Sequence, residues 1–341
     1  MGLFGSKKPQ IKITVFGKTD LGRTRDHNED SFLVADLTTR EASLQPHVRE
    51  HPLGPKGTLL LVADGMGGAA SGEVASQMAI ETVFNHLEQT WCADDADAPE
   101  QFATHLKEAV EATNTRIYTA ARERPEHKGM GTTATAVGVL GDQVYIAQVG
   151  DSRAYLIRNG AATQLTKDQS LMQRLVDAGE LTEEEAEKSE RKNIILQALG
   201  PDQKVKVDLT HQGVRRGDVI VVCSDGLSGQ VKKEEIAGIV TPPDKDLVVA
   251  SGELIDLANQ RGGPDNITVV VARLGGDGLP EPKAGERVGH QAYHVLDGES
   301  TTEPVPVYTG SPPPEPKGAA LALVVTSLAA LGLAAVIYAL T

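Results

Sequence analysis

Four apolar runs in this chain meet an aspartate at one end. LLLVAD closes on Asp64, VYIAQVGD on Asp151 and VIVVCSD on Asp225, while Asp265 stands just ahead of NITVVV. Short runs this rich in Val, Ile and Leu, with Gly or Asn beside them, read as buried strands. One aspartate at a strand end is ordinarily a turn or cap residue. The ordered repetition instead gathers carboxylates at one rim of a sheet, where mutual repulsion and desolvation oppose them. Divalent cations resolve that conflict. An all-oxygen donor set without Cys or paired His selects hard ions, Mg²⁺ or Mn²⁺, over Zn²⁺. The segment DLGRTRDHNED adds Glu29 and Asp30, and Gly65, Gly67 and Gly68 let the backbone approach a cation closely.

Apolar periodicity predicts strands over 11–17, 31–36, 58–63, 132–140, 143–149, 154–158, 205–210, 218–223 and 266–274. Helices are predicted over 72–89 and 102–122, and over 233–240 and 244–261 with Pro242 and Pro243 between them. Strands outnumber helices, and helix pairs follow groups of strands, so two packed sheets with helices outside are expected, an α+β arrangement. Residues 37–57 read as a polar loop, and 168–200, with two short helical stretches, as a flap.

The formal net charge of -14 removes nucleic acid from the partners, because such binding needs a basic footprint. Cys92 and Cys223 are far apart, which speaks for a reducing compartment. Neither begins a Cys-x5-Arg loop, since Ala98 and Gly229 occupy the arginine positions, so thiolate phosphatase chemistry is excluded. The histidines are scattered with no close pair of metal-binding spacing. DGMGG lacks the Lys-Ser/Thr of a nucleotide-binding P-loop.

Residues 276–317, rich in Pro, Gly and Glu, read as an extended linker. Residues 318–340 carry no charge, and as a helix would be about 34 Å long, enough for a hydrocarbon core of roughly 30 Å. A single membrane-spanning helix is expected there. Lys317 on its N-terminal side places the preceding residues at the cytoplasmic face of the cell membrane.

The motifs run in a recognisable order: Asp20-x-Gly22-x-x-Arg25-x-x-Asn28-Glu29-Asp30, Asp64-Gly65-Met66-Gly67-Gly68 with Gly72-Glu73, and Gly129-Met130-Gly131-Thr132-Thr133. Then follow Gly150-Asp151-Ser152-Arg153, Ser224-Asp225-Gly226 and Gly263-Pro264-Asp265-Asn266. The series resembles the bacterial form of the metal-dependent protein phosphatase 2C (PPM) family, over about residues 12–274. The resemblance implies a four-layer α-β-β-α sandwich with two central antiparallel sheets, a flap insert, and a phosphatase domain over 1–275. It implies hydrolysis of phosphoserine and phosphothreonine in proteins, the substrates of a serine/threonine kinase, by metal-activated water at a binuclear Mn²⁺ or Mg²⁺ centre.

By position, Asp64 would bridge two ions, the Gly65 carbonyl would bind one, and Asp225 and Asp265 would hold the other. Glu29 and Asp30 would act directly or through water, Asp151 would serve a third, weaker ion, and Arg25 would grip the substrate phosphate. Some members carry His where this chain has Met66, which cannot donate a proton. The general acid would then be a metal-bound water or another group. Two alternatives remain open, a catalytically silent membrane-bound binding module and a small-molecule phosphatase.

Overall fold

The computed structural model describes residues 9–42, 50–67, 71–95, 98–283 and 285–295. In chain order the strands are β1 (Ile11–Asp20), β2 (Asp30–Asp36), β3 (Glu41–Ala42), β4 (Glu50–Pro52), β5 (Thr58–Met66), β6 (Gly131–Thr132), β7 (Ala134–Leu140), β8 (Gln143–Val149), β9 (Arg153–Arg158), β10 (Ala161–Gln164), β11 (Asp208–Gly213), β12 (Val219–Cys223) and β13 (Ile267–Gly276). The helices are α1 (Ser71–Gln89), α2 (Pro99–Glu123), α3 (Leu171–Asp177), α4 (Glu183–Lys188), α5 (Asp225–Ser228), α6 (Lys233–Val240) and α7 (Leu247–Gln260).

Two antiparallel sheets form, in the orders β10-β9-β12-β13-β1-β4 and β11-β8-β7-β5-β2-β3, with β6 extending β5. Helices α1 and α2 pack on the second sheet, and α6 and α7 on the first. The expected α-β-β-α sandwich is what the chain forms.

Strand alternation builds the layers. On β5, Leu60 and Val62 point between the sheets, while Leu59, Leu61 and Ala63 point at α1 and α2. On β13, Val270, Ala272 and Leu274 fill the space between the sheets, and Val269 and Val271 face α6 and α7. Both faces of these central strands are covered, which is why they read as continuous apolar runs rather than alternating ones.

Three elements departed from expectation. The polar stretch 37–57 contributes β4, which extends β1 at a sheet edge through His51 opposite Ile13. Strand β10 has no apolar run; it forms because Asn159 and Gly160, with φ of 53° and 78°, make the two-residue turn that returns the chain along β9.

Most consequential, residues 277–283 and 285–295 pack on the domain instead of running as a spacer. Leu279 is fully buried, and Tyr293 donates its N–H to Leu209 at 2.7 Å. Glu286 receives Arg158 and Arg215, each at 3.0 Å. Apolar and charged anchors spaced through a Pro-rich stretch hold it as a strap. Residues 318–340, expected to span a membrane, lie outside the described residues; among those described, no helix is long and apolar enough to cross one.

Candidate active site

The carboxylates meet where the strand ends of the two sheets converge. Asp30 starts β2 and Asp64 lies near the end of β5, directly opposite it in the antiparallel register. Asp225 opens α5 immediately after β12, and Asp265 precedes β13. One sheet thus supplies Asp30 and Asp64, the other Asp225 and Asp265. Asp151 follows β8 and reaches the same centre, where it and Asp225 repel each other.

Uncharged side chains hold these groups in place. Ser224 Oγ donates to Asp30 Oδ2 at 2.7 Å, binding the two sheets together at the rim. Thr133 Oγ1 accepts the Asp64 N–H at 3.0 Å. Asn266 Oδ1 accepts the Glu29 N–H at 2.8 Å, and its amide donates to the Leu21 and His27 carbonyls, both at 2.9 Å. The loop carrying Arg25 and Glu29 is therefore pinned to the segment carrying Asp265. A Cβ on Gly65 would collide with the carbonyl oxygens of Gly72 and Glu29, so only glycine lets β5 pass so close to the start of α1.

The electrostatics are those of anions forced together. Burial pushes the Asp64 carboxyl well above the usual range, and Asp30, Asp225, Asp151 and Asp265 push it further. Asp30 is raised to about 7, by burial first and then by Asp225 and Asp265 against hydrogen bonds from Thr268 and Ser224. Asp151 is also raised to about 7, by burial and then by Asp225 and Asp168. Burial raises Asp225 and Glu29 too.

Asp151 Oδ1 and Asp225 Oδ1 are buried without a hydrogen-bond partner. Buried acceptors left unmatched are costly, and cations are the natural complement. The donors are carboxylates and carbonyls alone, so the set fits Mn²⁺ or Mg²⁺.

Arg25, expected to grip the substrate phosphate, donates its guanidinium to Asp265 Oδ2 at 2.7 Å, while its side chain remains 47% exposed. Thr24, Arg25, Asp26, His27, Glu29 and Gly67 line a cleft beside the centre. Met66 is exposed beside it. The flap joins the site through Gln169, which exchanges two 2.9 Å hydrogen bonds with Gly150, next to Asp151. Its base is fixed by Arg153, whose guanidinium takes both oxygens of Asp168 at 2.6–3.0 Å.

The sequence of the chain matches the family described as Protein phosphatase 2C over residues 50–249. It is 37% identical over 254 residues to the serine/threonine phosphatase stp of Listeria welshimeri, covering 74% of this chain and 93% of that protein. The chain belongs to the protein phosphatase 2C family. It is also 38% identical over 255 residues to the serine/threonine protein phosphatase PstP of Mycobacterium tuberculosis, an alignment that spans 75% of this chain but only 44% of that relative's length.

Among solved structures, that of the S. agalactiae serine/threonine phosphatase superposes with a TM-score of 0.66 at 35% identity, covering 76% of this chain and 99% of that one. The catalytic domain of PstP, solved in complex with two manganese ions, superposes with a TM-score of 0.63 at 36% identity, covering 78% and 99%.

The positions Glu29, Asp30, Asp64, Gly65, Asp151, Asp225 and Asp265, read from the motifs, fall at this one centre, with Arg25 at its edge. Sequence reasoning passed over Thr133, Ser224, Asn266 and Thr268. All but Thr268 stood within the quoted motifs, Ser224 and Asn266 next to a carboxylate, but a hydroxyl or amide there has no signature distinguishing a positioning role from a cap. Spacing along the sequence shows no close pair of histidines; the fold nonetheless brings His86 and His105 together.

Proposed function

We propose that the chain hydrolyses phosphoserine and phosphothreonine in proteins, with Mn²⁺ or Mg²⁺ at the carboxylate centre. The observation that carries this reading is the convergence of Asp30, Asp64, Asp225 and Asp265 from two sheets, with the buried Oδ1 of Asp225 left unmatched. Asp64 and the Gly65 carbonyl would hold one ion, Asp225 and Asp265 a second, with Asp64 shared; Glu29 and Asp30 would support them. The unmatched Oδ1 of Asp151 supports a third, weaker site.

Bound there, the ions would lower the pKa of a water molecule and neutralise charge on the phosphoryl group. Seating Asp265 on an ion would release Arg25 to make a paired contact with phosphate oxygens. Glu29 and Asp30 would orient water through their carboxylates. The exposed Met66 beside the cleft offers apolar contact rather than a proton.

Phosphate release from a phosphothreonine peptide, with and without Mn²⁺, tests the proposal. We expect Mn²⁺-dependent turnover in the wild type and a loss of at least about 10³-fold in Asp64→Asn. Metal-independent turnover, or a variant near the wild-type rate, would refute it. Faster release from small metabolites than from phosphopeptides would indicate a small-molecule phosphatase.

The charge-free run 318–340 and Lys317 before it support a second part of the reading: a single membrane span holding the phosphatase at the cytoplasmic face, within reach of the targets of a serine/threonine kinase. Cell fractionation of the full chain against one ending at Val295 tests this, and equal recovery of both in the soluble fraction would count against the anchor.

A further inference from the structure

His86 lies in the last turn of α1, and His105 and Glu108 lie one turn apart near the start of α2. Each of the three offers a ligand atom within 4.8 Å of the other two. His105 Nδ1 and Glu108 Oε2 are already 3.1 Å apart. Donor atoms around a tetrahedral zinc ion are separated by about 3.3–3.5 Å, given bond lengths of about 2.0–2.2 Å. The i,i+3 spacing on α2 sets that pair on one helix face, and the packing of α1 on α2 brings up the third group.

We propose that His86, His105 and Glu108 form a binding site for a zinc-class divalent cation, closing the α1–α2 hairpin and separate from the carboxylate centre. A surface ion pair between His105 and Glu108 accounts for only two of the three groups. It leaves His86 Nε2, which is buried and has no hydrogen-bond partner, without a function. A bound cation would give the His86 ring a partner.

Burial lowers the pKa of His86, with Glu108 opposing and His105 reinforcing the shift, so the ring favours its neutral, ligating form. Two imidazoles and one carboxylate favour zinc, cobalt or nickel, whereas the all-oxygen centre favours magnesium or manganese. Glu108 keeps 48% of its side chain exposed, so a fourth position remains open to water. Along α1, His86 lies about 21 Å from Gly72, which abuts the carboxylate centre, so the two sites can be loaded independently.

The test uses the full chain, stripped with a chelator and titrated with Co²⁺ under excess Mg²⁺, which competes for the carboxylate centre. The wild type should bind about one equivalent of Co²⁺, with the intense visible absorption of a four-coordinate, nitrogen-ligated ion. His105→Ala and Glu108→Gln should each weaken this binding about tenfold or more, and Asp225→Asn should leave it intact. Glu108 is exposed, so its variant keeps the fold even if a histidine variant does not. No intense absorption in the wild type, its persistence in Glu108→Gln, or its loss in Asp225→Asn would each overturn the proposal.

Discussion

Asp30 and Asp151 share an unusual condition: each sits among other carboxylates and out of water, with its pKa raised to about 7. In the unfolded chain an aspartate titrates near 3.8. Between those values the folded, metal-free protein holds protons that the unfolded chain has released. Their contribution to stability is therefore complete below about pH 4 and is lost as pH rises to about 7. Denaturant unfolding in chelator should show this as a fall in stability across the window, smaller in Asp151→Asn than in the wild type. Saturating Mn²⁺ should remove the difference by replacing protons as counter-charge. If Asp151→Asn matches the wild-type slope in chelator, the burial of that carboxylate has been misjudged.

Arg25 raises a second residue-scale expectation. Its pairing with Asp265 holds the guanidinium at the edge of the cleft. Arg25→Ala should raise KM for phosphopeptides more than it lowers kcat on a small aryl phosphate. Equal losses on both substrates would place the arginine's role in supporting Asp265 instead of in binding phosphate.

Among elements, the strap 277–295 is the least expected. Its composition gave every sign of a linker, because Pro, Gly and charge dominate and no periodicity betrays a packed face. What fastens it are single residues: Leu279, Glu286, and Tyr293, which sets its ring edge-on to Tyr145 with centroids 5.4 Å apart. Sparse anchors of this kind are invisible to any window average.

The strap completes a network around Arg158, whose buried guanidinium takes both oxygens of Asp218, at 2.6 and 2.9 Å, as well as Glu286. A chain ending at Gly276 should melt measurably below one ending at Val295. If the two melt together, the strap is only laid on the surface. Asp218→Ala, which strips the buried arginine of its main partner, should cost about 3 kcal/mol in chemical denaturation.

The strands carrying the carboxylates were legible by contrast. Runs such as Leu59–Ala63 and Val219–Cys223 are apolar on both faces, and a doubly covered strand has no other composition. Strands β4 and β10 were not, since their pairing is decided by neighbours and by the Asn159–Gly160 turn.

At the scale of the molecule, the order of the aspartates and their mutual repulsion were legible, but the groups that hold them, such as Ser224 on Asp30, were not. One sheet brings Asp30, Asp64 and Asp151 together, and Asp225 joins them only when the other sheet packs on it. The same holds for the His86–His105–Glu108 group, whose members lie on two helices that meet only after folding.

Each sheet carries only half of the carboxylate cage, and the apolar layer of Leu60, Val62, Val270 and Val222 sets how the halves face each other. Catalysis is thereby made a strain gauge for that layer. A sub-ångström slide of one sheet over the other would leave every helix and strand intact, yet misalign the cage. Val270→Ala, at a cost of about 2 kcal/mol, should thus reduce turnover at temperatures well below its own melting transition, by more than a truncation of similar cost under α6 and α7.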